Sequence, residues 1–224
     1  MSDSERALRD LICELGRRLY AKDYVAATDG NLSVRLGEGR YLVTPSGVSK
    51  GFMAPEHLLI ADGEGRLLHG EGKVTSEFFT HLAAYEERED VLAVIHAHPP
   101  MCTAVTLAGI DMRVPLLPEV VAAVGGVPTC PYATPGTREG ADAVRAAIRT
   151  ADAVLLDRHG SLTLGKTLMD AYYKLEKIEH AAAILLAAYT HCDPDPLNAD
   201  QIQRVIIART EYGATAKLGP IAGQ

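Results

Sequence analysis

Val91-Leu92-Ala93-Val94-Ile95-His96-Ala97-His98-Pro99-Pro100 is the stretch from which the fold is read. Its first five residues are all apolar, the pattern of a short strand in the middle of a sheet, buried on both faces. Pro99 and Pro100 end the strand, because proline has no N–H to offer a neighbouring strand. Side chains alternate along a strand, so His96 and His98, two apart, share one face. The pair therefore projects from the end of a buried strand.

Upstream, Thr75-Ser76-Glu77 reads as a helix start, with hydroxyls able to cap and with Phe78, Phe79, Leu82 and Ala83 as the inner face. Farther back, Leu8, Leu11, Ile12, Leu15 and Leu19 recur at helical spacing and predict an amphipathic helix over 5–21. Strands are predicted over 32–36, 41–44 and 58–61, with a turn at 63–65 and a return at Leu67-Leu68. Downstream, the pattern predicts a helix near 103–108, a break at Gly125-Gly126 and Pro128, a strand within 127–132 and a helix over 138–149. A buried strand over 153–156 ends in Asp157-Arg158-His159-Gly160, the chain returns over 161–165, and helices follow over 167–190 and 199–211. Without repeats or a linker, this order predicts a single domain over 1–224: a three-layer α/β/α fold whose central sheet is mainly antiparallel and covered by helices.

The bulk composition agrees. At 47% hydrophobic residues, 224 residues can bury a sizeable core. A net charge of −7, from 22 basic and 29 acidic residues, argues against a nucleic-acid or anionic-membrane partner. No run approaches the ~18 apolar residues of a membrane span, and MSDSERALRD lacks a targeting pattern. Cys13, Cys102, Cys130 and Cys192 form no CxxC pair and are expected as buried or semi-buried thiols in a reducing cytoplasm.

Of eight histidines, His57, His69, His81, His180 and His191 each stand alone and are expected to be surface or hydrogen-bonded residues. His159 differs, because it ends a second buried strand much as His96 and His98 end the first. Three imidazoles converging from strand ends could hold a divalent ion, although a His-x-His pair also serves purely structural roles. Glu77 could add a carboxylate, or could belong to an ordinary capping box. Gly30-Asn31 and Ser46-Gly47 combine glycine with small polar side chains, as anion cradles do and as ordinary turns also do. No P-loop, dinucleotide fingerprint or serine nucleophile elbow is present.

Taken in order, Gly30-Asn31-Leu32-Ser33, Thr44-Pro45-Ser46-Gly47, Thr75-Ser76-Glu77, His96-Ala97-His98, Pro131-Tyr132-Ala133-Thr134 with Gly136-Thr137-Arg138-Glu139, and His159-Gly160 resemble the class II aldolase/adducin superfamily. The closest resemblance is to its L-fuculose-1-phosphate aldolase group. It implies a divalent metal, Zn²⁺ first with Mn²⁺ or Co²⁺ as alternatives, held by His96, His98 and His159, with Glu77 as fourth ligand and proton-transfer group. It also implies a substrate phosphate bound among Gly30, Asn31, Ser46, Gly47, Thr75 and Ser76, and a cytoplasmic homotetramer with sites at subunit boundaries.

The implied activity is reversible cleavage of a ketose 1-phosphate to dihydroxyacetone phosphate and an aldehyde. A divalent metal can stabilise the charge left by the broken carbon–carbon bond. A Schiff-base lysine is the other known route, and the motif region offers Lys73. Where the fuculose enzymes carry an acidic tyrosine, counting back from Gly125-Gly126 reaches Glu119; a glutamate can act as that acid only if its pKa is raised. Tyr212 corresponds to a second, C-terminal tyrosine. With the apolar approach Val114-Pro115-Leu116-Leu117, Glu119 suggests a 5-deoxy- or methylthio-pentulose 1-phosphate as well as fuculose 1-phosphate. The alternatives within the superfamily are a methylthioribulose-1-phosphate dehydratase and a non-catalytic adducin-like module.

Overall fold

A computed structural model describes residues 3–211 and 216–223. In chain order its elements are α1 (Asp3–Ala21), β1 (Asn31–Gly37), β2 (Arg40–Val43), β3 (Leu59–Asp62), β4 (Leu67–His69), α2 (Phe78–Glu87), β5 (Ala93–Ala97), α3 (Pro100–Ala108), α4 (Pro118–Ala123), β6 (Thr129–Cys130), α5 (Arg138–Ile148), β7 (Ala153–Leu156), β8 (Gly160–Gly165), α6 (Leu168–Tyr189) and α7 (Ala199–Glu211). The strands form one sheet in the order β4-β3-β2-β1-β5-β8-β7-β6. Every neighbouring pair is antiparallel except β6 and β7. β5 is central and buried throughout, as the apolar run predicts, but it runs 93–97 rather than 91–95: it takes in His96 and leaves Leu92 exposed before it.

Strand alternation distributes the core over two faces. On one face Leu32, Leu42 and Ile95 meet Ile12, Leu15 and Leu19 of α1 and Tyr172 and Leu175 of α6. Toward the other end of the sheet, Ala153 and Leu155 pack under α3, α4 and α6. On the opposite face Val94, Val154, Leu162 and Leu164 meet Ala84 and Tyr85 of α2 and Val144 and Ile148 of α5. Helices thus cover both sides, giving the expected three layers.

Several local expectations shift. Pro100 opens α3 rather than only closing β5, since the first helical position needs no N–H. β6 shrinks to two residues because Pro128 and Pro131 flank it and neither can donate to a ladder. α4 has no counterpart in the sequence reading, because six residues are too few for a helical period to register. Neither Thr75 nor Ser76 caps α2; Glu77 occupies the cap position without a side-chain capping bond. All four cysteines are free, and Cys192 is exposed rather than buried.

His81, expected as an isolated surface or hydrogen-bonded residue, is fully buried on α2. Ser33 Oγ on β1 lies 2.7 Å from both His81 Nδ1 and Tyr85 Oη, which ties α2 to the sheet one turn after Glu77. Burial pushes the His81 imidazole down to about 3; His96 lowers it further and Glu77 opposes the shift. The ring is therefore neutral in the folded chain, whereas an unfolded chain protonates it near its ordinary value of about 6.5. Below that pH the unfolded state binds the extra proton, so stability falls as pH drops from 6.5 toward 3. In chelator-treated protein, His81→Asn should flatten the pH dependence of chemical denaturation between pH 6.5 and 4 by roughly 1 kcal/mol per pH unit. An unchanged slope would show that His81 is not the group held neutral.

Candidate metal centre

Three elements meet at one point. The end of β5 presents His96 and His98, the turn from β7 into β8 presents His159, and the residue before α2 presents Glu77. One donor atom from each lies within 4.8 Å of all the others. The approach of β8 to β5 requires Gly160, since a Cβ there would stand 2.2 Å from the Ala97 carbonyl oxygen. Arg158, at φ 58°, takes the left-handed conformation in the turn that delivers His159.

The ring nitrogens are oriented by their outer partners. His96 Nδ1 lies 2.9 Å from the Ser161 carbonyl oxygen, which can only accept, so Nδ1 carries the proton and Nε2 turns its lone pair inward. His98 Nδ1 lies 3.5 Å from Asp29 Oδ2. The His96 and His98 Nε2 atoms face each other at 3.0 Å. Glu77 spans the cluster, with Oε2 at 3.1 Å from His96 Nε2 and Oε1 at 3.4 Å from His159 Nε2. Its Oε2 also accepts from Asn31 Nδ2 at 3.1 Å.

Charge follows this geometry. Burial alone would raise the Glu77 carboxyl, but His96, His159 and the Asn31 amide hold it well below the usual carboxylate range. Burial and the neighbouring imidazole of His96 push His159 down to about 4 and also lower His98. Burial works to lower His96 too, yet Glu77 prevails and raises it. The His96 and His98 Nε2 atoms, 3.0 Å apart beside a carboxylate, frame a position that a cation can take. Three imidazoles and one carboxylate are the donor set that Zn²⁺ and similar divalent ions accept, so the residues fit a metal.

The expected phosphate-binding residues fall into connected segments. Asn31 pairs with His96 across the sheet and is 2% exposed, its Oδ1 without a partner among the described residues. Gly30, at φ 71°, cannot carry a side chain, because a Cβ would meet Val25 Cγ1 at 2.5 Å. Pro45 bridges to Val74 and the Ser46 amide donates to the Lys73 carbonyl oxygen at 2.8 Å, so Ser46-Gly47 runs beside Thr75-Ser76. Gly136 closes on Ser76, a Cβ there standing 3.3 Å from its Oγ. A small cleft opens beside Glu77, His96 and His159.

Glu119 is not brought to this point. It is exposed on α4, which packs with α6 on the opposite face of the sheet from α2, so one chain does not bury it as an acid would require. Tyr212 lies outside the described residues. Two residues at the site escape the sequence reading. Asp29, directly before Gly30-Asn31, stands against His98. Lys50 is buried between Thr28 and Val48, whereas Lys73, the lysine weighed from sequence, is exposed.

Residues 10–186 match the model of the family described as Class II Aldolase and Adducin N-terminal domain. The chain belongs to that family. Among class II aldolase relatives, it is 36% identical over 190 residues to L-fuculose phosphate aldolase of Escherichia coli strain K12, covering 83% of this chain and 86% of that one. It is also 36% identical over 185 residues to a 3-oxo-tetronate 4-phosphate decarboxylase of Haemophilus influenzae, covering 81% and 88%. To the 5-methylthioribulose-1-phosphate/5-deoxyribulose-1-phosphate aldolase of Rhodospirillum rubrum it is 34% identical over 220 residues, covering 97% and 98%. Class II aldolases are metal-dependent, in keeping with the Glu77/His96/His98/His159 cluster.

His96→Ala removes the most deeply buried nitrogen of the cluster. The purified variant should lose bound divalent metal, by elemental analysis, while keeping the wild-type far-UV circular dichroism, because the core does not pass through the site. A full metal complement in the variant would contradict this assignment.

Proposed function

We propose that this chain is a metal-dependent aldolase that reversibly cleaves a ketose 1-phosphate to dihydroxyacetone phosphate and an aldehyde. The observation that carries the reading is the convergence of Glu77 with three imidazoles in a chain of the class II aldolase family. His96, His98 and His159 would hold one divalent ion, Zn²⁺ first among Zn²⁺, Mn²⁺ and Co²⁺, with Glu77 as fourth ligand before substrate arrives. That ion supplies a Lewis acid for the ketone oxygen. The phosphate is received by Gly30, Asn31, Ser46, Gly47, Thr75 and Ser76, whose backbone and side-chain groups are uncharged donors. Anchoring it orients the ketose so that the bond to be broken faces Glu77.

In cleavage the C4 hydroxyl loses its proton, the C3–C4 bond breaks, and its electron pair moves onto the C3–C2–oxygen unit. Glu77, once substrate has displaced it from the cluster, takes up a proton from solvent and delivers it to C3, while the proton removed from the C4 hydroxyl returns to solvent; in the reverse direction Glu77 removes the C3 proton. The carboxylate reaches the cluster from the cap of a helix, so it can swing without disturbing a strand. In a homotetramer with sites at subunit boundaries, Glu119 of the partner subunit and Tyr212 of the partner subunit complete the aldehyde end, the former receiving the C4 hydroxyl proton. We place the enzyme in the cytoplasm as a single domain over 1–224.

The aldehyde end is read as apolar. The support is the Val114-Pro115-Leu116-Leu117 approach to α4, together with a relative aligned over nearly its whole length that acts on methylthio- and deoxypentulose phosphates. The test is release of dihydroxyacetone phosphate from 5-deoxyribulose 1-phosphate, 5-methylthioribulose 1-phosphate and fuculose 1-phosphate, with and without chelator. Expected are stoichiometric, chelator-sensitive release and faster turnover of the two pentulose phosphates. Substrate loss without dihydroxyacetone phosphate would replace the aldolase with a dehydratase, carbon dioxide release from 3-oxo-tetronate 4-phosphate would point to a decarboxylase, and no turnover would leave a binding module.

A further inference from the structure

Lys50 is 1% exposed, yet among the described residues no carboxylate forms an ion pair with it. Its Nζ donates to the Thr28 carbonyl oxygen at 2.8 Å and to the Val48 carbonyl oxygen at 2.7 Å. The third ammonium proton has no partner among the described residues. Burying an ammonium without a counter-charge is costly, so the fold has paid for this arrangement with some compensating use.

The two acceptors identify that use. Thr28 lies two residues before Gly30-Asn31, and Val48 directly follows Ser46-Gly47, so the ammonium joins the two loops read as an anion cradle. Its own backbone is fixed from behind, because α1 packs so closely that a Cβ on Gly16 would stand 2.4 Å from the Lys50 carbonyl oxygen. Gly51, next along, is pressed against the Tyr20 ring in the same way, a Cβ there standing 2.6 Å from Tyr20 Cγ. The side chain is thus a post that rises from α1 and ends between the loops. Burial pushes the Lys50 amine down to about 8, while Asp29 and Glu77 act in the opposite direction. The amine is within the field of the site, and two carbonyl acceptors hold it as a charged donor rather than as a free nucleophile.

The cradle itself contains no cation: Gly30, Asn31, Ser46, Gly47, Thr75 and Ser76 are all uncharged. A phosphate dianion bound there would rely on neutral donors alone unless a positive charge lay beneath them. We propose that Lys50 is the positioning residue of the phosphate subsite, its ammonium strapping the 28–31 and 46–48 loops together and supplying the positive charge that the phosphate group of the substrate meets. This rests on the phosphate reading of the same segments, and it makes Lys50 the source of preference for phosphorylated over unphosphorylated ketoses.

The test compares the full-length, metal-loaded wild type with Lys50→Arg, Lys50→Gln and Lys50→Met. Inorganic phosphate is titrated calorimetrically, with and without chelator so that binding at the metal is separated from binding at the cradle. The kcat/KM ratio for a ketose 1-phosphate against the same ketose without phosphate is measured in parallel. Lys50→Gln and Lys50→Met should weaken metal-independent phosphate binding, and lower the kcat/KM ratio, by about tenfold or more, as expected for losing a charged donor. Lys50→Arg should recover most of both. Should the methionine variant fail to fold, the glutamine variant, which can still donate to one carbonyl, decides the matter. Wild-type phosphate affinity in the neutral variants, or an unchanged kcat/KM ratio with both substrates slowed alike, would overturn the role of Lys50. If wild type itself neither binds phosphate without metal nor prefers the phosphorylated ketose, the phosphate subsite is wrong and the proposal falls with it.

Discussion

β5 is hydrogen-bonded along both edges, and the site hangs from that constraint. His96 pairs across one edge with Asn31 and across the other with Leu162, so its position is set by two ladders at once. A slip of one residue in either would turn it to the wrong face of the sheet. The same pairing carries Asn31 to within reach of Glu77, and the close approach of β8 at Gly160 brings His159 alongside. The sheet thus fixes the nitrogens, while the carboxylate arrives from the cap residue just before a helix.

That division suits the electrostatics. The imidazoles at the strand ends, with His96 braced by the Ser161 carbonyl and His98 by Asp29, lose little freedom on binding a cation. The carboxylate stands at a cap position, where side-chain torsions can redirect it without disturbing a strand. Its strongly acidic character is a property of the imidazoles that face it, and burial alone would have produced the reverse. Between the neighbouring 28–31 and 46–48 loops, Lys50 sets a buried amine held by two backbone carbonyls.

Much of this was legible from sequence because strand periodicity is local. An apolar run closed by two prolines fixes the face shared by His96 and His98, and His159-Gly160 repeats the arrangement at the next buried strand. Glu77 was ambiguous on local grounds, since hydroxyl residues followed by glutamate also describe a capping box, and the structure forms no such box. Lys50 and Asp29 were missed, and so was the burial of the hydrogen-bonded His81, because their roles come from residues that fold beside them: carbonyls before β1 and after β2, an imidazole at the end of β5, a serine on β1. Nothing in the spacing of a lone lysine or histidine signals a partner 20 or more residues away. α4 and β6 were missed or overextended because prolines and glycines cut them shorter than any periodic signal.

The central claim is that one divalent ion is held by three imidazoles and a carboxylate. X-ray absorption at the metal edge of the metal-loaded protein reads that ligand set directly. Three imidazole nitrogens at about 2.0–2.1 Å, with the remaining donors oxygen, are predicted. Sulfur in the first shell, or fewer than three imidazoles, would contradict it.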